Sequence, residues 1–139
     1  MAKWFHITES ILKRHGLRVT PRRLAIGSLL SGPRRHIEAR ALFDEARDAG
    51  LNVSLATVYN TLRDFERIGL IRRIALPGER VWFDTDRGDH RHFYIESENR
   101  VIDFEDQSPS PGTVPPAPDG YRITRIDMIA HLEKRDRDL

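Results

Sequence analysis

Apolar residues in this chain recur at helical spacing up to Gly69 and at strand spacing after it, and this change of period limits the fold more than any other feature. The first helical segment, Lys3 to His15, carries Trp4, Ile7, Ile11 and Leu12 and is closed by Gly16. Thr20-Pro21 then reads as an N-cap followed by proline at the first helical position. The apolar face of that helix is Leu24, Ile26, Leu29 and Leu30, and Ser31-Gly32-Pro33 stops it. A third helix is expected from about Ile37 to Ala49, with Ala41, Leu42, Ala46 and Ala49 inward and Gly50 at its end. Ser54 caps a fourth, Leu55 to Ile68, whose inward face is Leu55, Val58, Leu62, Phe65 and Ile68.

Beyond Gly69, Leu70-Ile71 and Ile74-Leu76 lead to Pro77-Gly78, and Val81-Trp82-Phe83 follow, which predicts a hairpin. Helices succeeded by a β-hairpin make a winged helix-turn-helix pattern over residues 1–83. The remainder, 84–139, opens with the polar connector Asp84 to Asp89 and continues into a second hairpin, Phe93-Tyr94-Ile95 and Val101 to Phe104, turning at Ser97-Glu98-Asn99. Gln107 to Gly120 holds most of the chain's prolines and predicts a loop or extended linker. Tyr121 to Leu132 predicts one long strand with a phase slip near Arg125, and an exposed strand of that length suits a homodimer interface. The expected fold is therefore α+β: a winged helix followed by a small, mostly β dimerisation domain.

Charge follows the same division. Up to Phe83 there are 15 basic and 8 acidic residues, whereas the rest has 8 basic and 13 acidic. A basic half suits a polyanion, and double-stranded DNA is the partner a winged helix implies. The fourth helix would lie in the major groove, presenting Ser54, Ala56, Thr57, Tyr59, Asn60 and Arg63, whose hydroxyl, amide and guanidinium groups suit base edges and phosphates. Arg18, Arg22 and Arg23 stand at the start of the second helix, and Arg72, Arg73 and Arg80 on the wing. The same fold can serve protein contacts, an alternative that predicts no DNA affinity. The chain has no cysteine and no apolar run of the roughly 20 residues a membrane span requires, so a cytoplasmic protein without disulfides or thiolate metal sites is expected.

A second constellation is His90-Arg91-His92, with Asp84, Asp103 and His36. Alternate residues of a strand face one side, so His90 and His92 can converge on one ion. Imidazoles with carboxylates suit Mn, Fe(II) or Zn rather than a soft copper site. Two histidines and a carboxylate also form the facial triad of non-haem iron oxygenases, but the chain shows no nucleophile-and-base set, and an enzyme is not expected.

Gly16-Leu17-Arg18-Val19-Thr20-Pro21-Arg22, His36, Ala56-Thr57-Val58-Tyr59-Asn60-Thr61-Leu62 and Gly69-Leu70-Ile71 together resemble the ferric uptake regulator superfamily, from about residue 10 to Phe104. The resemblance implies a homodimeric transcription regulator on AT-rich palindromic operators. It also implies that Tyr59 meets the major groove and Arg18 the minor groove. Asn60 stands where many members have arginine. His36, Asp84, His90, His92 and Asp103 match the five-ligand regulatory site of the peroxide-sensing branch, implying one divalent metal (Mn, Fe or Zn) per subunit. Where most members carry a Cys-x-x-Cys structural zinc motif, this chain has Ile95 and Glu98. That loss, with the proline-rich stretch, looks like the iron response regulator branch, which implies control of iron homeostasis genes and sensitivity to haem. Arg91 replaces the middle one of that branch's three histidines. Peroxide sensing is the alternative within the superfamily.

Overall fold

The computed structural model describes residues 4–86, 91–104 and 116–136. The chain divides into two compact units, Met1–Arg87 and Gly88–Leu139. The first begins with a short strand, β1 (Trp4–Phe5), paired antiparallel with β2 (Gly32–Pro33). Between them lie α1 (Glu9–Arg14) and α2 (Pro21–Leu30). The helical segment expected from Lys3 is thus shorter: Thr8 is the N-cap, its side chain accepting from the Ile11 amide, and Trp4 and Phe5 are extended by their distant partner. α2 occupies the span its signals predict, with the Thr20 hydroxyl accepting from the Arg23 amide and Pro21 at the first turn.

The third helix starts later than expected. His36–Glu38 forms a strand, β3, and α3 runs Ala39–Asp48. α4 (Leu55–Arg67) follows, with Ser54 as N-cap and Val58, Thr61, Leu62 and Phe65 buried. Gly69, at φ +80°, takes the left-handed conformation that ends it. The wing is β4 (Arg72–Ile74) and β5 (Trp82–Asp84). These strands form a three-stranded antiparallel sheet of order β3-β5-β4, so the wing hairpin gains a third strand from the segment before α3. Ile37 and Phe83, opposite one another, enter a core with Leu12, Ile26, Leu30, Leu42, Val58, Leu62 and Phe65. This is the helix-turn-helix unit with its wing.

The second unit is a separate sheet of order β7-β6-β8. β6 (Arg91–Ile95) and β7 (Arg100–Phe104) form the expected hairpin, turning through a 3-10 segment, Glu96–Glu98, and Asn99 at φ 47°. Asparagine tolerates that left-handed conformation better than other non-glycine residues. The long strand expected over Tyr121 to Leu132 is only β8 (Met128–His131), parallel to β6, and residues 121–127 are irregular. Ladder hydrogen bonds, not period-2 spacing, define a strand, and β8 has them only alongside β6. Most of the expected Gln107 to Gly120 loop, and the Arg87 to Asp89 end of the connector, lie outside the described residues. No helix among the described residues is long and apolar enough to cross a membrane.

One close approach in the first unit yields a stability test. A Cβ on Gly27, in mid-α2, would sit 2.8 Å from Ile7 Cγ2 and 2.9 Å from Ile7 Cβ. Alanine gains up to about 1 kcal/mol of helix propensity over glycine, but overpacking a core typically costs about 1–3 kcal/mol. Ile7 Cβ lies next to the backbone and cannot swing aside, so the steric term should win. Gly27→Ala is expected to lower the urea midpoint, and an unchanged or raised midpoint would show that the Ile7 segment yields freely.

Candidate metal centre and DNA-facing surface

Each unit builds one histidine–aspartate pair by strand register. In the first, His36 of β3 is directly opposite Asp84 of β5. Opposite residues share a face with their Cβ atoms about 5 Å apart, and His36 Nε2 reaches to 3.4 Å from Asp84 Oδ2. Asp84 is only 2% exposed, and its other oxygen, Oδ1, accepts from the Asp86 amide at 2.8 Å. A connector position was expected for Asp84; the structure makes it the last residue of the central strand, whose three residues are all buried. In the second unit His92, 7% exposed, is opposite Asp103, with Nε2 3.3 Å from Oδ1. His90 lies outside the described residues.

The distances are compatible with two ligands of one cation as well as with an ion pair. Charge-assisted N–H···O bonds settle near about 2.7–2.9 Å. Two donors on one cation at about 2.1 Å each stand roughly 3.0–3.4 Å apart, across an octahedral or tetrahedral edge. Both pairs fall at that wider spacing. Donors of this type, imidazole nitrogen and carboxylate oxygen, fit Mn, Fe(II) or Zn.

One residue near the first pair was not singled out by sequence reasoning. Thr85, fully buried, is joined to Arg35: the Arg35 amide donates to Thr85 Oγ1 at 2.9 Å and the Thr85 amide to the Arg35 carbonyl at 3.1 Å. This double tie clamps the residues just before His36 and just after Asp84. A lone threonine in sequence carries no signal for this role. Arg72, placed on the wing by the sequence, is the β4 register partner of Asp84.

On the DNA-facing side, Arg18, Arg22, Ser54, Asn60 and Arg63 are exposed. Thr57 is half-buried, its amide donating to Ser54 Oγ at 3.1 Å with the two hydroxyls 2.9 Å apart. Tyr59 is half-buried, its ring resting partly on the core. Arg23 is committed within the protein, to the Arg18 carbonyl and Asp64.

The sequence profile of the Ferric uptake regulator family matches residues 14–114. The chain belongs to this family. It is similar to the peroxide-responsive repressor PerR of Staphylococcus aureus, 32% identical over 101 residues that span 71% of this chain and 68% of that one. The Staphylococcus epidermidis repressor is 32% identical over 100 residues, 70% of this chain and 67% of its own. Among solved structures, the Vibrio cholerae ferric uptake regulator aligns at TM-score 0.71 with 26% identity, covering 90% of this chain and 98% of its own. The Pseudomonas aeruginosa regulator, solved with manganese, aligns at 0.70 with 28% identity over 94% of this chain and 99% of its own. Regulators of this family are metal-responsive and bind DNA as dimers.

Thr85→Val tests the clamp. It keeps the volume but leaves the partly buried Arg35 amide without its acceptor, which should cost about 1–3 kcal/mol, against about 1 kcal/mol for uncapping α4 by Ser54→Ala. Urea unfolding in the presence of a chelator measures both; equal small losses would show that the Thr85 hydroxyl holds nothing.

Proposed function

We propose that this protein is a DNA-binding transcription regulator, acting in the cytoplasm as a homodimer, whose affinity for an AT-rich palindromic operator is set by one divalent metal per subunit. His36, Asp84, His90, His92 and Asp103 hold the ion. The observation that carries this reading is the pair of cross-strand His–Asp sets, each at ligand-to-ligand spacing. Each side chain offers one nitrogen or oxygen donor, and a cation bound better in one conformation than in another favours that one. Binding energy then biases one arrangement over others, the thermodynamic requirement for an effector. The exposed apolar side chains of the second unit, Tyr121, Ile123, Ile126, Met128 and Leu132, favour a partner copy there.

DNA contact falls to Ser54, Thr57, Tyr59, Asn60 and Arg63 on α4 and to Arg18 and Arg22 beside it. The signal we assign is iron status, with haem as the effector that relieves control of iron homeostasis genes. This follows the resemblance to the iron response regulator branch, carried by the absence of cysteine and the proline-rich stretch. A peroxide-responsive reading is favoured by the staphylococcal relatives, and the all-N/O donor set suits the Fe(II) such a response requires.

The test titrates metal-free protein with Mn(II), anaerobic Fe(II), Zn(II) and haem while following the anisotropy of duplexes selected from a random pool. Metal should raise affinity in the wild type, and His36→Ala and His92→Ala should each lose that gain by at least about tenfold. A gain preserved in both variants would overturn the ligand assignment. A metal effect without DNA selection, or Tyr59→Ala and Arg63→Ala variants that bind as wild type, would instead favour a protein-interaction module. Peroxide added to the Fe(II) form separates the two signals: loss of DNA binding with one oxygen atom added to a ligand histidine supports the peroxide reading, and release by haem alone supports the iron reading.

A further inference from the structure

The N-terminal region of α2 holds an arginine whose two arms grip two different elements. Arg23 Nη1 donates to the Arg18 carbonyl at 2.6 Å, and Nη2 donates to Asp64 Oδ2 at 3.2 Å. Asp64 lies on α4, and its other oxygen, Oδ1, accepts from Arg67 at 3.1 Å. The pair is mostly shielded, with side-chain exposures of 22% and 29%. The loop between α1 and α2 is anchored at its start by buried Leu17, whose amide bonds to the Leu12 carbonyl, and at its end by the Thr20 cap. Between these anchors the guanidinium takes hold of the backbone of Arg18, while the Arg18 side chain is left exposed.

We propose that Arg23 is a positioning residue for DNA recognition: its fork fixes the distance between the Arg18 loop and α4, so that both engage one duplex at once. The inference rests on the DNA-binding reading above. A contact made from a mobile loop forfeits much of its energy to ordering on binding, whereas one held in place beforehand does not. The second contact also becomes intramolecular once α4 has docked, and its strength then depends on whether the spacing is right. Only a planar guanidinium can satisfy a carbonyl and a carboxylate in two directions at fixed geometry; an ammonium is a single point on a flexible stem. Asp64 helps because Arg67 holds its second oxygen and thereby limits its rotamers.

The test is a double-mutant cycle on duplexes recovered from a random-sequence pool by the wild-type, Mn(II)-loaded protein. Arg18→Ala should weaken binding about tenfold in the wild-type background, the worth of one good groove contact. In the Arg23→Met background the same substitution should cost only about twofold, because the contact has already been lost. Arg23→Lys should behave as Arg23→Met. If Arg23 touched DNA itself, the Arg18 and Arg23 effects would add, and additivity overturns the proposal. Recovery by lysine overturns it as well, since charge alone would then suffice. Asp64→Asn, far milder for the fold, repeats the cycle if Arg23→Met proves unstable by circular dichroism, and an undiminished Arg18 contribution there also counts against the fork. Failure of the wild type to select any duplex would instead remove the DNA reading on which the proposal stands.

Discussion

The pairing of β3 with β5 is the constraint on which the first unit's architecture turns. β3 has three residues, His36–Glu38, too few to hold a strand by propensity. It exists because β5 is already paired with β4 on its other edge and because Ile37 and Phe83 meet opposite one another over the core. The Arg35–Thr85 tie closes the open end of the ladder, and the Ala39 amide bonds to the Val81 carbonyl at 2.9 Å at the other end, where α3 begins. The ladder therefore also sets where α3 starts, and through α3 the seat of α4.

Much of this was legible in the sequence, and the exceptions share a cause. Thr20-Pro21, Ser31-Gly32-Pro33, Ser54 and Gly69 are local signals whose physics is complete within a few residues, and α2 and α4 lie where those signals put them. β1 and β3 are set by partners far along the chain, and nothing local separates Ile37 in a strand from Ile37 at a helix start. The same applies to the side chains. Spacing alone could nominate His92 and Asp103 but could not show that register makes them opposite. Thr85 and Arg23 bond to groups 50 and 41 residues away, distances at which a single hydroxyl or guanidinium leaves no pattern. The Tyr121 to Leu132 alternation was read too generously, since alternate apolar residues permit a strand and only a neighbouring strand completes one.

Burial of Asp84 explains why a cation belongs beside it. A carboxylate removed from water costs several kcal/mol unless charge or hydrogen bonds compensate. The Asp86 amide supplies one bond, and Asp86 is itself paired with Arg34 at 3.0 Å. His36 stands at one flank and Arg72, by register, at the other. A charge partner beside this carboxylate offsets that cost, whichever cation supplies it.

The sheet also ties Asp84 to the wing. Asp84 ends the same strand that, two residues earlier, leaves the wing turn, and β4 of the wing is its direct partner. Register in such a sheet is all or nothing. A slip by one residue would turn Asp84 into the core and Phe83 out to the metal face. A strand paired on both edges resists local rearrangement at Asp84 more than a loop would. Asp84 therefore stands on the central strand of the wing sheet, not in a loop.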